Sequence, residues 1–142
     1  MNQLDPAYLS TIATQVGGLS AFLGGFAATF LGTLLAVQVR GRTATVSIGC
    51  AVTSSVAFII AVVASTALVA LLHPDAPAAA ATASTGSARA FMGLSFIVGL
   101  YALMLSLALS GWSRSRATGL TTSIAGGLGI ILVTTLVLRA GA

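Results

Sequence analysis

Four stretches of the chain run without a charged residue, at positions 8–39, 43–72, 90–113 and 117–138. Each is predominantly apolar, and about 20 helical residues suffice to cross the hydrocarbon of a bilayer. The pattern therefore predicts an all-α integral membrane protein with four transmembrane helices. The links between them differ in length. Arg40-Gly41-Arg42 joins the first two runs and Ser113-Arg114-Ser115-Arg116 the last two, which makes two tight helical hairpins. A longer connector, 73–88, opens with His73-Pro74-Asp75-Ala76-Pro77, where two prolines stop the second helix, and continues in Ala, Ser, Thr and Gly. All of this reads as a single four-helix transmembrane domain over 1–142.

The first run is not read as a cleaved signal peptide. A signal begins with positive charge and has a short apolar stretch, whereas this chain begins MNQLDPAY and continues apolar for 32 residues, 8 to 39. Helices of that length rise about 45–48 Å against a hydrocarbon core of about 30 Å. The excess is expected to protrude near 8–16 and 64–72, with tilt absorbing part of it.

Composition supports the membrane reading. Hydrophobic residues make up 57% of the chain and charged ones 6%, where a soluble domain carries about 25% charge. The mean hydropathy is +1.07, so the lipid bilayer is the expected surrounding partner. The six basic residues are all Arg and lie at the ends of apolar runs. They form no basic face, and no nucleic acid is expected despite a pI near 10.8. Arg40, Arg42, Arg114 and Arg116 fall on one side, Arg89 and Arg139 on the other. The four-Arg side is expected in the cytoplasm, which places both termini, the connector, Asp5 and Asp75 outside. A bacterial plasma membrane is the expected location.

The first helix has unusual faces. At about 100° per residue, Leu19, Phe22, Leu23, Phe26, Phe30 and Leu34 share one arc. Opposite them run two rows of mostly small residues, Gly17, Ala21, Gly25 and Thr29 beside Ser20, Gly24, Ala28 and Gly32. Such rows let helix backbones approach closely in lipid. Gly17, Ser20, Ala21, Gly24, Ala28 and Gly32 are thus the candidate helix–helix interface, serving either packing within the chain or a homo-oligomer. Along a border lies a line of polar, small and aromatic residues: Thr11, Gln15, Gly18, Phe22, Gly25 or Phe26, Thr29 and Thr33. Hydroxyls in a membrane helix can bond their own helix or a neighbour, or face water in a pore in which an aromatic ring gates by dewetting. Gln15, Gly18, Phe22, Gly25, Phe26, Thr29 and Thr33 are the candidate pore-lining residues.

The segment Ser20-Ala21-Phe22-Leu23-Gly24-Gly25-Phe26-Ala27 resembles the first-helix motif of the Orai family of calcium-release-activated calcium channels, which reads close to S-A-L-L-S-G-F-A. The resemblance implies four membrane helices per subunit and a hexamer with its first helices around the pore. It places the family's basic, aliphatic, Gly/Phe, hydrophobic-gate and acidic-filter positions on Gly18, Phe22, Gly25 with Phe26, Thr29, and Thr33. The filter position is Thr33 rather than an acid, the family's basic inner section has no counterpart before residue 16, and the Arg count predicts the opposite orientation. Without a ring of carboxylates to replace the water of a divalent ion, calcium selectivity is not expected.

The other runs carry less. The second is hydroxyl-rich at its start, with Thr43, Ser47 and Thr53 to Ser55, as suits a helix buried among others. The third ends near Trp112, expected as an interfacial anchor. The fourth has Gly126, Gly127 and Gly129, where it can bend or pack closely, and otherwise reads as lipid-facing. One His, one Cys and two Asp offer no nucleophile with its base and no metal cluster. No catalytic residue, metal or cofactor is therefore expected, Cys50 has no partner for an internal disulfide, and no ionised side chain lies at membrane depth to couple protons or sodium. The expected function is a small homo-oligomeric channel passing ions through a pore lined by the first helix. The alternatives are a non-conducting scaffold serving a protein partner, and a site for lipid or an apolar small molecule between helices.

Overall fold

A computed structural model of the chain describes residues 5–37, 41–73, 76, 85–113 and 116–141. Among them the fold is all-α, with no strand. Helix α1 spans Pro6–Ala36, α2 Arg42–Leu71, α3 Thr85–Ser110 and α4 Arg116–Gly141, with a 3-10 turn at Gly111–Ser113 between the last two. All four helices are long and apolar enough to cross a membrane, and the chain is an integral membrane protein. Arg40 and Arg114 of the topology count lie outside the described residues, as do Pro74, Asp75, Pro77 and the connector as far as residue 84.

Helix ends follow capping chemistry more closely than charge. Asp5 Oδ1 accepts the Ala7 amide at 3.0 Å, and Pro6, which has no amide hydrogen to satisfy, takes the first helical position. α1 therefore starts before the apolar run does. α3 likewise starts at Thr85, so residues 85–88 of the expected connector are helical, and the exposed Arg89 lies within the second turn. A long basic side chain can lay its stem along an apolar helix and keep its head in water, which is why a charge does not mark a helix boundary. Gly41 opens α2 with φ at +117°, a conformation suited to glycine, and its carbonyl accepts the Thr45 amide at 3.1 Å.

Contacts along the chain group into two compact units. The first comprises residues 1–26 and 55–99, the second 27–54 and 100–142. In the first unit, Ala13, Leu68 and Met92 form a buried cluster with Val16, Ala64 and Leu72 against it. Phe58 is fully buried and meets Phe96 edge to face, with ring centroids 6.1 Å apart. Two glycines make room for this side chain. A methyl group added to Gly24 would lie 3.2 Å from the Phe58 Cβ, and one added to Gly99 would lie 3.0 Å from its ring edge.

The second unit is held by hydroxyls. Ser47 Oγ donates to the Ser106 carbonyl at 2.9 Å and Ser106 Oγ donates to the Ser47 carbonyl at 2.8 Å. This reciprocal clasp joins α2 to α3 where both serines are buried. Tyr101 and Thr134 share a hydroxyl–hydroxyl bond, and Thr122 and Ser123 both reach the Ala108 carbonyl. Trp112, expected only as an anchor, donates from Nε1 to Ser123 Oγ at 2.7 Å, with Gly119 directly beneath its ring. Gly126 lies against Ala108 and Gly129 against the Met104 sulfur, whereas Gly127 faces open space. The glycines of α4 thus divide between a packed side and a free one.

Burial along α2 follows a seven-residue repeat. Ala44, Ser47, Ala51, Ser54, Phe58, Ala61, Ser65 and Leu68 are all buried, at alternating steps of three and four. Such a repeat keeps one seam facing its neighbours over many turns. Six of the eight residues are Ala or Ser, which lets backbones come close where lipid supplies no hydrophobic force between helices.

The serine clasp generates the first prediction. Ser47→Ala and Ser106→Ala should each lower the unfolding free energy in detergent by about 0.6–2 kcal/mol, the range for hydrogen bonds between membrane helices, with the double variant losing more than either. Ser47→Leu should cost more than Ser47→Ala, because its branched side chain crowds the seam.

Candidate functional site: the outward face of the first helix

Three strips run along α1. The first packs within the chain: Ala13, Ser20, Ala27 and Leu34 are buried at seven-residue intervals, with Gly17 and Gly24 between them. A methyl group on Gly17 would lie 3.1 Å from the Ser65 Cβ. Together with the approach of Gly24 to Phe58, this makes the seam between α1 and α2 of the first unit.

The second strip lies about 100° around the helix. It consists of Gly18, Ala21, Gly25, Ala28 and Gly32, all exposed and again at alternating steps of three and four. Methyl groups added to Gly18, Gly25 or Gly32 would meet no atom within 4 Å. α1 therefore carries two small-residue seams, one occupied within the chain and one open.

The expected interface residues divide between these strips. Gly17, Ser20 and Gly24 face α2, while Ala21, Ala28 and Gly32 are exposed. The reason is geometric. Residues four apart advance about 400°, so a four-residue row drifts by about 40° per step and slides from the occupied seam to the open one. The packing follows the seven-residue repeat instead, and that repeat was present in the small-residue spacing of both α1 and α2.

The third strip holds the candidate pore residues. Gln15, Gly18, Phe22, Gly25 and Phe26 are exposed in the first unit, and Thr29 and Thr33 in the second. Phe22 is 72% exposed and Phe26 47%. Thr33 Oγ1 donates to the Phe30 carbonyl at 2.7 Å and Thr11 Oγ1 to the Ala7 carbonyl at 2.9 Å. These hydroxyls satisfy their protons within the helix and present oxygen lone pairs outward. Leu19, at 54% exposure, lies on the far flank of this strip with Phe26.

Beside the open seam, in the first unit, is a groove of about 310 Å³ lined by Ser20, Ala21, Gly24 and Gly25 of α1 and by Ile59 and Val63 of α2. Ser20 is fully buried, and its Oγ has no hydrogen-bond partner. Nothing in the charge or hydropathy pattern marks this groove, because it arises from two helices meeting where one of them lacks side chains. Among the described residues no group of three His, Cys, Asp or Glu could hold a metal ion.

The two glycines at this level should behave differently. Gly24→Leu should destabilise the folded chain, since the added atoms enter the space of Phe58. Gly25→Leu should leave monomer stability nearly unchanged, because its side chain enters open space. Thermal unfolding in a detergent that keeps the chain monomeric checks this, and equal losses at both sites would contradict the assignment of the two seams. Compared with known protein families, with characterised proteins and with solved structures, the chain has no match.

Proposed function

We propose that the chain is the subunit of a small homo-oligomeric membrane channel, with α1 lining the water path. The observation that carries this reading is the composition of the exposed strip on α1. Gln15, Phe22, Thr29 and Thr33 are exposed on it, Gly18 and Gly25 mark its border with the open seam, and Leu19 stands on its far flank. α4 presents the opposite chemistry, with Leu120, Ile124, Leu128, Ile131, Leu132 and Leu136 exposed, as a helix bathed in acyl chains should. The segment 20–27 that resembles the Orai motif lies within the same part of α1.

In the proposed pore, threonine oxygens and the Gln15 amide offer polar contacts to water and ions, and the ring at Phe22 forms the narrow apolar section. Water leaves a sufficiently narrow apolar constriction, and ions stop with it. No ionised side chain lies on the strip, so the pore discriminates weakly by charge and calcium selectivity forms no part of the proposal. By the Arg count the ends of α1 and α2 that flank Gly41 face the cytoplasm, and both termini face outward. A non-conducting scaffold is the second reading. It is favoured by the hydroxyls of Thr11 and Thr33, which bond their own helix and so tolerate lipid as well as water.

Flux separates the two. Phe22 is largely exposed, so Phe22→Ala opens no core cavity, and it should raise ion flux in proteoliposomes while leaving the fold intact. Thr33→Glu should shift that flux toward cations, more strongly at low salt where the added charge is less screened. Well-folded variants without flux under any gradient would remove the channel and leave the scaffold. Orientation is checked separately: a reporter fused after Ala142 should be active outside the cytoplasm and one inserted at Gly41 inside it.

A further inference from the structure

We propose that the groove between α1 and α2 is the seat for Leu19 and Phe26 of a second copy of this chain, repeated head to tail around a closed ring. The proposal rests on the oligomeric part of the functional reading and names the contact that builds the oligomer.

The groove is unfinished in the single chain. Ala21 and Gly25 leave only small residues exposed along its α1 side, and Ser20 is buried beneath with a hydroxyl that has no partner. Buried polar groups are bonded in the great majority of cases, and in lipid no water stands in. An acyl chain filling the groove brings no acceptor to Ser20. A second helix brings backbone carbonyls, and the small residues of the open seam let it approach closely.

Depth selects a copy of the same chain as the occupant. In a ring whose axis is the membrane normal, all subunits share one orientation and one level, so a protruding patch fits its neighbour only if the receiving patch lies at the same height. Leu19 and Phe26 protrude one heptad apart, at 54% and 47% exposure. The groove residues of α1 run from Ser20 to Gly25, centred between them. Across α2, Gly17 stands level with Ser65 and Gly24 with Phe58. The same antiparallel register puts Leu19 level with Val63, a groove residue. The protruding pair lies roughly opposite the groove around α1, as a head-to-tail contact requires, and Phe22 is left between the two contact faces, toward the axis.

Site-directed disulfide formation tests the contact. In a Cys50→Ser background, Leu19→Cys combined with Val63→Cys should give a ladder of covalent oligomers ending at one ring size when the membrane-embedded protein is oxidised. Each single variant should stay monomeric on denaturing gels. Phe26→Cys with Val56→Cys, level in the same register, supplies a second pair if the first does not fold. Gly25→Leu, which fills the groove without entering the core, should abolish the ladder. Covalent dimers from single variants would show like faces meeting and overturn the proposal, as would oligomers of unchanged size with no cross-link from either pair. A ladder without ion flux would sink the channel and leave the seat, whereas flux without a ladder would sink the seat alone.

Discussion

Helices in lipid gain nothing from hiding apolar surface, because acyl chains solvate leucine as well as another helix does. Close approach of backbones, with the dispersion contacts and hydrogen bonds it allows, has to supply the attraction. The rest of this structure depends on that constraint. Gly17 and Gly24 let α1 reach Ser65 and Phe58, and Gly99 makes room for the Phe58 ring. Gly119, Gly126 and Gly129 bring α4 onto Trp112, Ala108 and Met104. Bulky side chains are mostly sent outward: Ile59, Val63, Leu94, Leu132 and Leu138 are each more than half exposed, while Ala and Ser dominate the buried positions. This inverts the arrangement of a soluble core, as the solvent demands.

Close backbones also set the polar chemistry. A serine in a helix can return its proton to its own carbonyls, as Ser65 does with Ala61, at little cost and with no gain between helices. At Ser47 and Ser106 the helices are near enough for each hydroxyl to reach the other's backbone, and the same atoms then hold two elements together. Trp112 with Ser123, and Tyr101 with Thr134, extend the pattern. Against this background Ser20 stands apart. Its hydroxyl is buried without a partner on a helix whose adjoining strip of small residues is open. A seam that holds one pair of helices together inside the chain is thus repeated, with the same spacing, on a face that the chain leaves uncovered.

The charge-free runs located all four helices, because ionised groups are excluded from hydrocarbon and so report its edges. They did not report helix ends. Asp5 and Pro6 carried a readable cap that starts α1 earlier, and α3 passes beyond Arg89 to Thr85 because an arginine stem tolerates the interface. The connector was therefore read as longer than it is. The close approach of α1 at Gly17 and Gly24 was legible in its small residues, but the four-residue rows mixed two faces that the seven-residue repeat separates. That repeat was there to be read in Ala13, Gly17, Ser20, Gly24 and Ala27, and again from Ala44 to Leu68 in α2. The clasp of Ser47 with Ser106 was not legible, since its residues lie 59 positions apart and nothing in either neighbourhood names the other. The groove at Ser20 was hidden for a related reason: a cavity is a relation between elements and leaves no mark on either one alone.

One helix is asked to do three things in the proposed assembly, and its sequence shows how they coexist. A helix offers a full turn of surface, and the strip toward α2, the open small-residue strip and the polar strip take successive arcs of it. Glycine and alanine suit the first two because both are contacts between backbones. The third needs side chains that accept water without carrying charge, and threonine meets this by donating its proton inward and turning lone pairs outward. Phe22 stands among these residues with most of its surface exposed. An aromatic ring so placed gains little from packing inside its own chain. The absence of ionised residues from the whole helix after Asp5 has the same logic. A fixed charge on the first two arcs would have to be desolvated against a neighbour, and one on the third would set the sign of the ion in the proposed pore; α1 carries neither.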